Sequence, residues 1–220
     1  MNDVRLRVFT SLFALVAAAA VLTSCAGDLE EPSEESKAQP INKVHQSIKG
    51  GEKDTTHNFV VGMTVERTVR GRTRGGICTG TLIAPNLILT AQHCVSDISS
   101  QAVRCGTTQF EGTLPASNIR VTTSPQLRRG GGSLYSTAEV IVPEGSSEVC
   151  GHDIALVRLD DNIPTSEAKP VPPRIDEQIT GGTTYTAYGY GQTGRNENGR
   201  AGVRRVIQNR EVQCDVGDCF

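Results

Sequence analysis

The sequence predicts an all-β chain. Short apolar stretches of four to eight residues recur along it, Gly and Pro punctuate them, and no stretch beyond the first 25 residues keeps a 3.6-residue apolar period. The composition agrees: 23 Gly and only 4% aromatic residues suit many turns and short strands. The length of 220 residues allows one domain or two small ones, and 37% hydrophobic residues exclude a wholly disordered chain. With 22 Lys plus Arg against 24 Asp plus Glu, the net charge of −2 argues against a general nucleic-acid binder.

Residues 1–25 read as an export signal. Arg5 and Arg7 precede an apolar run from Val8 to Leu22 that is too short and too Ala-rich for a membrane span. The run ends in Leu22-Thr23-Ser24-Cys25, which resembles the lipobox of bacterial lipoproteins. That resemblance implies lipidation of Cys25, and Ala26 in place of Asp implies passage to the outer membrane. The expected location is therefore an outer-membrane lipoprotein or a secreted, cell-surface protein, touching the membrane only through its lipid.

Residues 26–47 read as a flexible acidic linker or propeptide. Asp28, Glu30, Glu31, Glu34 and Glu35 stand among Ser, Pro and Lys with almost no large apolar residue. Such a segment buries too little surface to offset its chain entropy.

Residues 48–220 carry the strand signals. From Phe59 to Val69, the residues Phe59, Val61, Met63, Val65 and Val69 share one face. Ile77–Ile83 and Leu87–Ala91 are apolar runs parted by the turn signal Ala84-Pro85-Asn86. Ile154–Leu159, Thr183–Ala187 and Val203–Val212 are the remaining strand candidates. Arg67, Arg70, Arg72 and Arg74 cluster in the first hairpin and read as a solvated loop face. His45, His57 and His152 have no evident partners in the sequence and read as structural.

With Cys25 lipidated, six cysteines remain: Cys78, Cys94, Cys105, Cys150, Cys214 and Cys219. An even number in an exported chain implies disulfides, whose pairing the sequence alone leaves open. No paired C-x-x-C occurs, so neither a metal site nor a cofactor is expected.

The chemistry concentrates in two stretches. Leu89-Thr90-Ala91-Gln92-His93-Cys94 places a His after an apolar strand, and His152-Asp153-Ile154-Ala155-Leu156 places an Asp ahead of another. A carboxylate that accepts a bond from one imidazole nitrogen fixes the tautomer and stabilises the imidazolium formed in general-base catalysis.

These stretches resemble the trypsin/chymotrypsin-like serine proteases. Ile48-Lys49-Gly50-Gly51 resembles the family's mature N-terminus, usually Ile-Val-Gly-Gly. Ile141-Val142-Pro143 resembles the segment ahead of the Asp, and Tyr188-Gly189-Tyr190-Gly191-Gln192-Thr193 the Gly-Trp-Gly strand that opens the second barrel. The resemblance implies a double antiparallel β-barrel over residues 48–220, with His93 as general base and Asp153 as its orienting carboxylate. It also implies a Cys78–Cys94 bond in the histidine loop, Ile48 as mature N-terminus, and a monomer acting on protein or peptide substrates. A Cys105–Cys150 bond would close the neighbourhood of an inserted loop around Gln126–Ser133, and a Cys214–Cys219 bond would be local. Gly217-Asp218-Cys219 lacks the Gly-Gly that follows the family's nucleophile, so a thiol nucleophile there is not expected.

The family's nucleophile motif, Gly-Asp-Ser-Gly-Gly, does not occur among the 220 residues. The expectation is a complete first barrel, an incomplete second one and no peptidase activity in residues 1–220, from a truncated chain. A catalytically dead, partner-binding relative and a nucleophile lent by a second chain are the alternatives.

Overall fold

A computed structural model describes residues 41–42, 48–69, 71–100, 102–127, 132–145, 147–194 and 201–213. Cys25, the export signal, most of the acidic linker, and the Cys214–Cys219 pair lie outside the described residues.

Two-residue strands β1 (Ile41–Asn42) and β2 (Glu52–Lys53) precede the hairpin of β3 (Val60–Val69) and β4 (Arg72–Ala84). At the hairpin tip Gly71 takes φ +72°, a left-handed value that a Cβ would strain. The turn at Pro85-Asn86 leads into β5 (Leu87–Thr90), where the turn signal placed it. A four-residue helix α1 (Gln92–Val95) follows, then β6 (Ser96–Ile98), β7 (Ala102–Val103) and β8 (Phe110–Thr113). After a 3-10 turn at Ala116–Asn118 come β9 (Ile119–Thr122), β10 (Tyr135–Ile141), β11 (Ala155–Leu159), β12 (Thr184–Gly189) and β13 (Arg205–Glu211).

Six strands close a barrel in the order β10-β11-β5-β4-β3-β9, every neighbouring pair antiparallel. Closure removes the exposed edges that invite further pairing. Alternation sends Val61, Met63 and Val65 of β3 inward, to meet Leu82, Ile88, Ile119, Val121, Val157 and Leu159. Gly80, paired with Val61, faces the same core, and a Cβ there would run into the side chains of Ile88 and Met63.

A second, three-stranded sheet has the order β12-β13-β2. It explains two departures from the alternation read in the sequence. Val60 is buried although it points away from Val61 and Met63, because the far side of β3 is covered too. There the Tyr190 side chain, also wholly buried, donates its hydroxyl to the Ser124 carbonyl at 2.7 Å. Phe59, placed by the sequence on the core face, instead packs against the rings of His57 and Tyr188, each with centroids 5.8 Å away. The side chain of Val69 lies outside the described residues.

The additional chain between His93 and Asp153 forms a small lobe. β6 pairs with β8, β7 pairs with β1, and Val103, Phe110 and Val149 build its own apolar cluster. A Cys105–Cys150 disulfide ties it to the segment ahead of Asp153. The insertion read around Gln126–Ser133 therefore accounts for only part of the extra length, and residues 128–131 are outside the described set.

Candidate active site

The barrel's register brings the site together. β5 and β11 run antiparallel with Thr90 opposite Ala155, so the residues leaving β5 lie beside those entering β11. His93, three positions after Thr90, thus meets Asp153, two before Ala155, across 60 residues of sequence. His93 Nδ1 lies 2.7 Å from Asp153 Oδ2, and the His93 backbone N–H donates to Asp153 Oδ1 at 2.8 Å. One carboxylate therefore holds both the ring and the main chain of one residue. It also substitutes for a local cap, since Ala91 at the N-cap makes no side-chain bond to α1.

The electrostatics follow from those bonds. Burial alone would raise the Asp153 carboxyl, but the bonds from the His93 ring and backbone, the His93 charge and the Gln92 N–H together lower it. An ionised carboxylate facing Nδ1 requires a proton on that nitrogen, which leaves the lone pair of the neutral ring on Nε2. The His93 side chain keeps 13% of its surface exposed.

Cys94 is buried and joined to Cys78 across a Cα separation of 6.0 Å, which fastens α1 to β4. Its Sγ lies 3.6 Å from His93 Nε2. Cys78, His93 and Cys94 thus cluster like metal ligands, but both sulfurs are committed to the disulfide.

Ile48 is buried, with its backbone N–H donating to the Gln192 carbonyl at 3.0 Å and its side chain against Gly189. It lines a hollow of 360 Å³ together with Thr79, Leu89, Tyr188 and Gly189.

Two groups escaped the sequence reading. His57, read as structural and unpartnered, sets Nδ1 2.9 Å from Asp54 Oδ1. Arg67, read within a solvated hairpin patch, turns inward onto α1, whereas Arg72 and Arg74 are exposed. The Arg67 contact has no signal in the sequence, because its acceptors lie on another segment of the chain; the Asp54–His57 pair is local, three residues apart.

A closed antiparallel barrel, a His at one strand end, an Asp at the next and a second sheet behind them define the trypsin-like double-barrel fold. The family model described as Trypsin matches residues 48–218, and the chain belongs to that family. Chymotrypsin-C of Bos taurus is 28% identical over 122 residues, 54% of this chain and 40% of the relative. The chain therefore matches well under half the length of that curated relative. Two solved structures share the fold: scabies mite inactivated protease paralogues S-D1, with a TM-score of 0.55 at 19% identity, and S-I1, at 0.52 and 21%. The S-D1 likeness covers 72% of this chain and 60% of the paralogue; for S-I1 the shares are 73% and 64%.

Proposed function

We propose that the chain carries the base-and-orienter half of a serine-type endopeptidase acting on protein or peptide substrates. The observation that supports this reading is the pair of bonds from His93 to the two oxygens of Asp153. In this reading Asp153 keeps the Nδ1–H tautomer and stabilises the imidazolium. His93 Nε2 takes the proton of an attacking serine hydroxyl as its oxygen bonds to the scissile carbonyl carbon. The same nitrogen then returns that proton to the leaving amine, and the acyl-serine formed is released by water on the same base.

In this reading the serine nucleophile is not among these residues, which contain no Gly-Asp-Ser-Gly-Gly. Residues 1–220 alone are therefore expected to cleave nothing in a broad fluorogenic peptide library. The same chain extended along its reading frame is expected to cleave and to take a fluorophosphonate label on serine. An extended form whose turnover survives His93→Ala would overturn the role given to His93.

A second reading is a catalytically inactive, partner-binding member of the family. Two of the solved structures that share the fold favour it, since both are of inactivated protease paralogues. A reading frame with no serine that takes the label, in any extended form, would select it.

The Cys78–Cys94 and Cys105–Cys150 disulfides fit an exported chain; in this reading the precursor carries lipid on Cys25, and cleavage before Ile48 gives the mature, unanchored N-terminus. Among the described residues no helix is long and apolar enough to cross a membrane. Cys25→Ser should move the protein from the membrane fraction to the soluble one; retention in membranes would defeat the anchor.

A further inference from the structure

The carbonyls at the end of α1 have no partners within so short a helix, and their partners come from elsewhere in the fold. Arg67 Nη2 on β3 donates to the carbonyls of His93 at 2.7 Å, Cys94 at 3.0 Å and Ser96 at 3.3 Å. The Leu114 N–H takes the remaining one, Val95, at 2.7 Å. Arg67 Nε lies 3.3 Å from Asp97 Oδ1, an ion pair that adds to the hold on the guanidinium.

A residue between two planar peptides has two soft dihedrals. Asp153 holds the peptide before His93 through its N–H, and Arg67 holds the peptide after it through its C=O. Together the two side chains fix the backbone of His93 and so the direction of its Cβ. A single helical turn has too little intrinsic stability to do this by itself.

We propose that Arg67 is a positioning residue for His93, one that keeps Nδ1 in line with Asp153. The proposal rests on reading His93 as the base, yet its readout needs no catalysis. In the 220-residue chain with labelled histidine, the Nδ1 proton shared with Asp153 should give a far-downfield, exchange-protected resonance. Arg67→Gln should speed its exchange with solvent by about tenfold or more, the factor carried by one lost charge-assisted hydrogen bond. Arg67→Lys should largely restore protection, because an ammonium still offers three donors to the same carbonyls. Asp97→Asn should leave the resonance in place, because the guanidinium–carbonyl bonds remain.

Amide protection at Val121 and Val157 reports on the barrel as a whole. An unchanged resonance in Arg67→Gln with that protection intact overturns the proposal. So does loss of the resonance together with barrel-wide protection, which would make Arg67 a general stability element. A missing resonance in the unmutated chain would defeat the His93–Asp153 bond first, and this proposal with it. A chain with no peptidase activity in any extended form, but with the expected resonances, would sink the protease reading alone.

Discussion

Arg204, with none of its surface exposed, sets its Nε 3.1 Å from Oδ2 of Asp54, itself nearly as buried. The contact is ionic rather than an aligned hydrogen bond, since neither atom has a well-directed partner. The rest of the guanidinium is satisfied by the Val60 and Thr123 carbonyls at 3.0 Å each and by Asn58 Oδ1 at 2.8 Å. Asp54 Oδ1 in turn accepts from Thr56 and from His57. Because Arg204 leads into β13 while Val60 starts β3 and Thr123 follows β9, this network fastens the second sheet to the barrel.

Asp54→Asn should therefore be costly. It leaves a buried guanidinium without its counter-charge, a defect worth about 3–5 kcal/mol. Adding Arg204→Met should recover part of the loss and no more, because the Val60 and Thr123 carbonyls then lack donors. Urea unfolding of both variants would measure this; a single-variant loss below about 1 kcal/mol, the range of exposed pairs, would show the pair to be inert.

The same carboxylate should be visible in acid. Burial works to raise it, but the bonds from His57 and Thr56 prevail and bring it from 3.8 down to about 2. A folded-state value below the unfolded one stabilises the fold above the unfolded pKa. That contribution, about 2 kcal/mol, is lost as pH falls from about 4 to about 2. Other carboxylates titrate there too, so the difference between wild type and Asp54→Asn isolates it. Urea midpoints whose separation does not narrow over that window would contradict the assignment.

The sequence made the strand ends legible and left the cross-chain contacts dark. β5 and β11 show as apolar runs beside turn residues and β12 as a Thr- and Tyr-rich run, and the His93 and Asp153 stretches stand at the ends of the first two. β10 was missed because the buried position of Tyr135–Ile141 is the polar Thr137 and the rest of the strand is partly buried or exposed. The β6–β8 lobe was missed because its strands are two to four residues long, below the length at which periodicity registers. Arg204 gave no hint of burial, since a strand Arg ordinarily faces water, and only the fold gathers its acceptors from three other segments. Arg67 failed the same way: its neighbours in sequence are a solvated hairpin, while its acceptors lie on α1.

Gly51→Ala should unseat Ile48. A Cβ at position 51 would collide with the Ile48 side chain and stand 2.9 Å from the Val206 carbonyl, a backbone atom of β13 that cannot easily yield. Ile48 is the part free to move. The expected result is a loss of about 1–3 kcal/mol, as for other overpacked sites, and an Ile48 methyl resonance shifted toward its solvent-exposed position. An unmoved methyl signal would show that the second sheet has given way instead.

Removing the Cys105–Cys150 bond, which spans 45 residues, should cost about 4 kcal/mol in chain-entropy terms. The Cys78–Cys94 bond spans 16 and should be worth about 3. Their consequences should differ in place. Cys105→Ser/Cys150→Ser should loosen the lobe first, raising amide exchange at Phe110 and Val149 while Val121 and Val157 stay protected. Uniform loss of protection would mean that the lobe and barrel unfold as one unit.

Asp153→Asn tests the site most directly. The carboxylate now accepts two N–H groups, one from the His93 ring and one from its backbone. An amide has one acceptor oxygen to offer, so one of those donors is left facing an NH2 group. If the backbone keeps the oxygen, the ring relieves the clash by moving its proton to Nε2, and the lone pair needed for proton abstraction is gone. The fold should survive with a loss of about 1–3 kcal/mol, the penalty of a disrupted bond to a charged group. In an extended form that turns over peptide, kcat should fall by about 10⁴, the size of the wrong-tautomer effect already known for the triad of this family. The sign with pH is fixed by the lowered Asp153 carboxyl: the pair is intact above the ordinary carboxylate range and is lost as acid protonates Asp153 below it. Thermal unfolding, kcat and the Nδ1 proton resonance can be read on the same variant. A kcat within about tenfold of wild type, with the resonance absent, would mean that catalysis does not run through this pair.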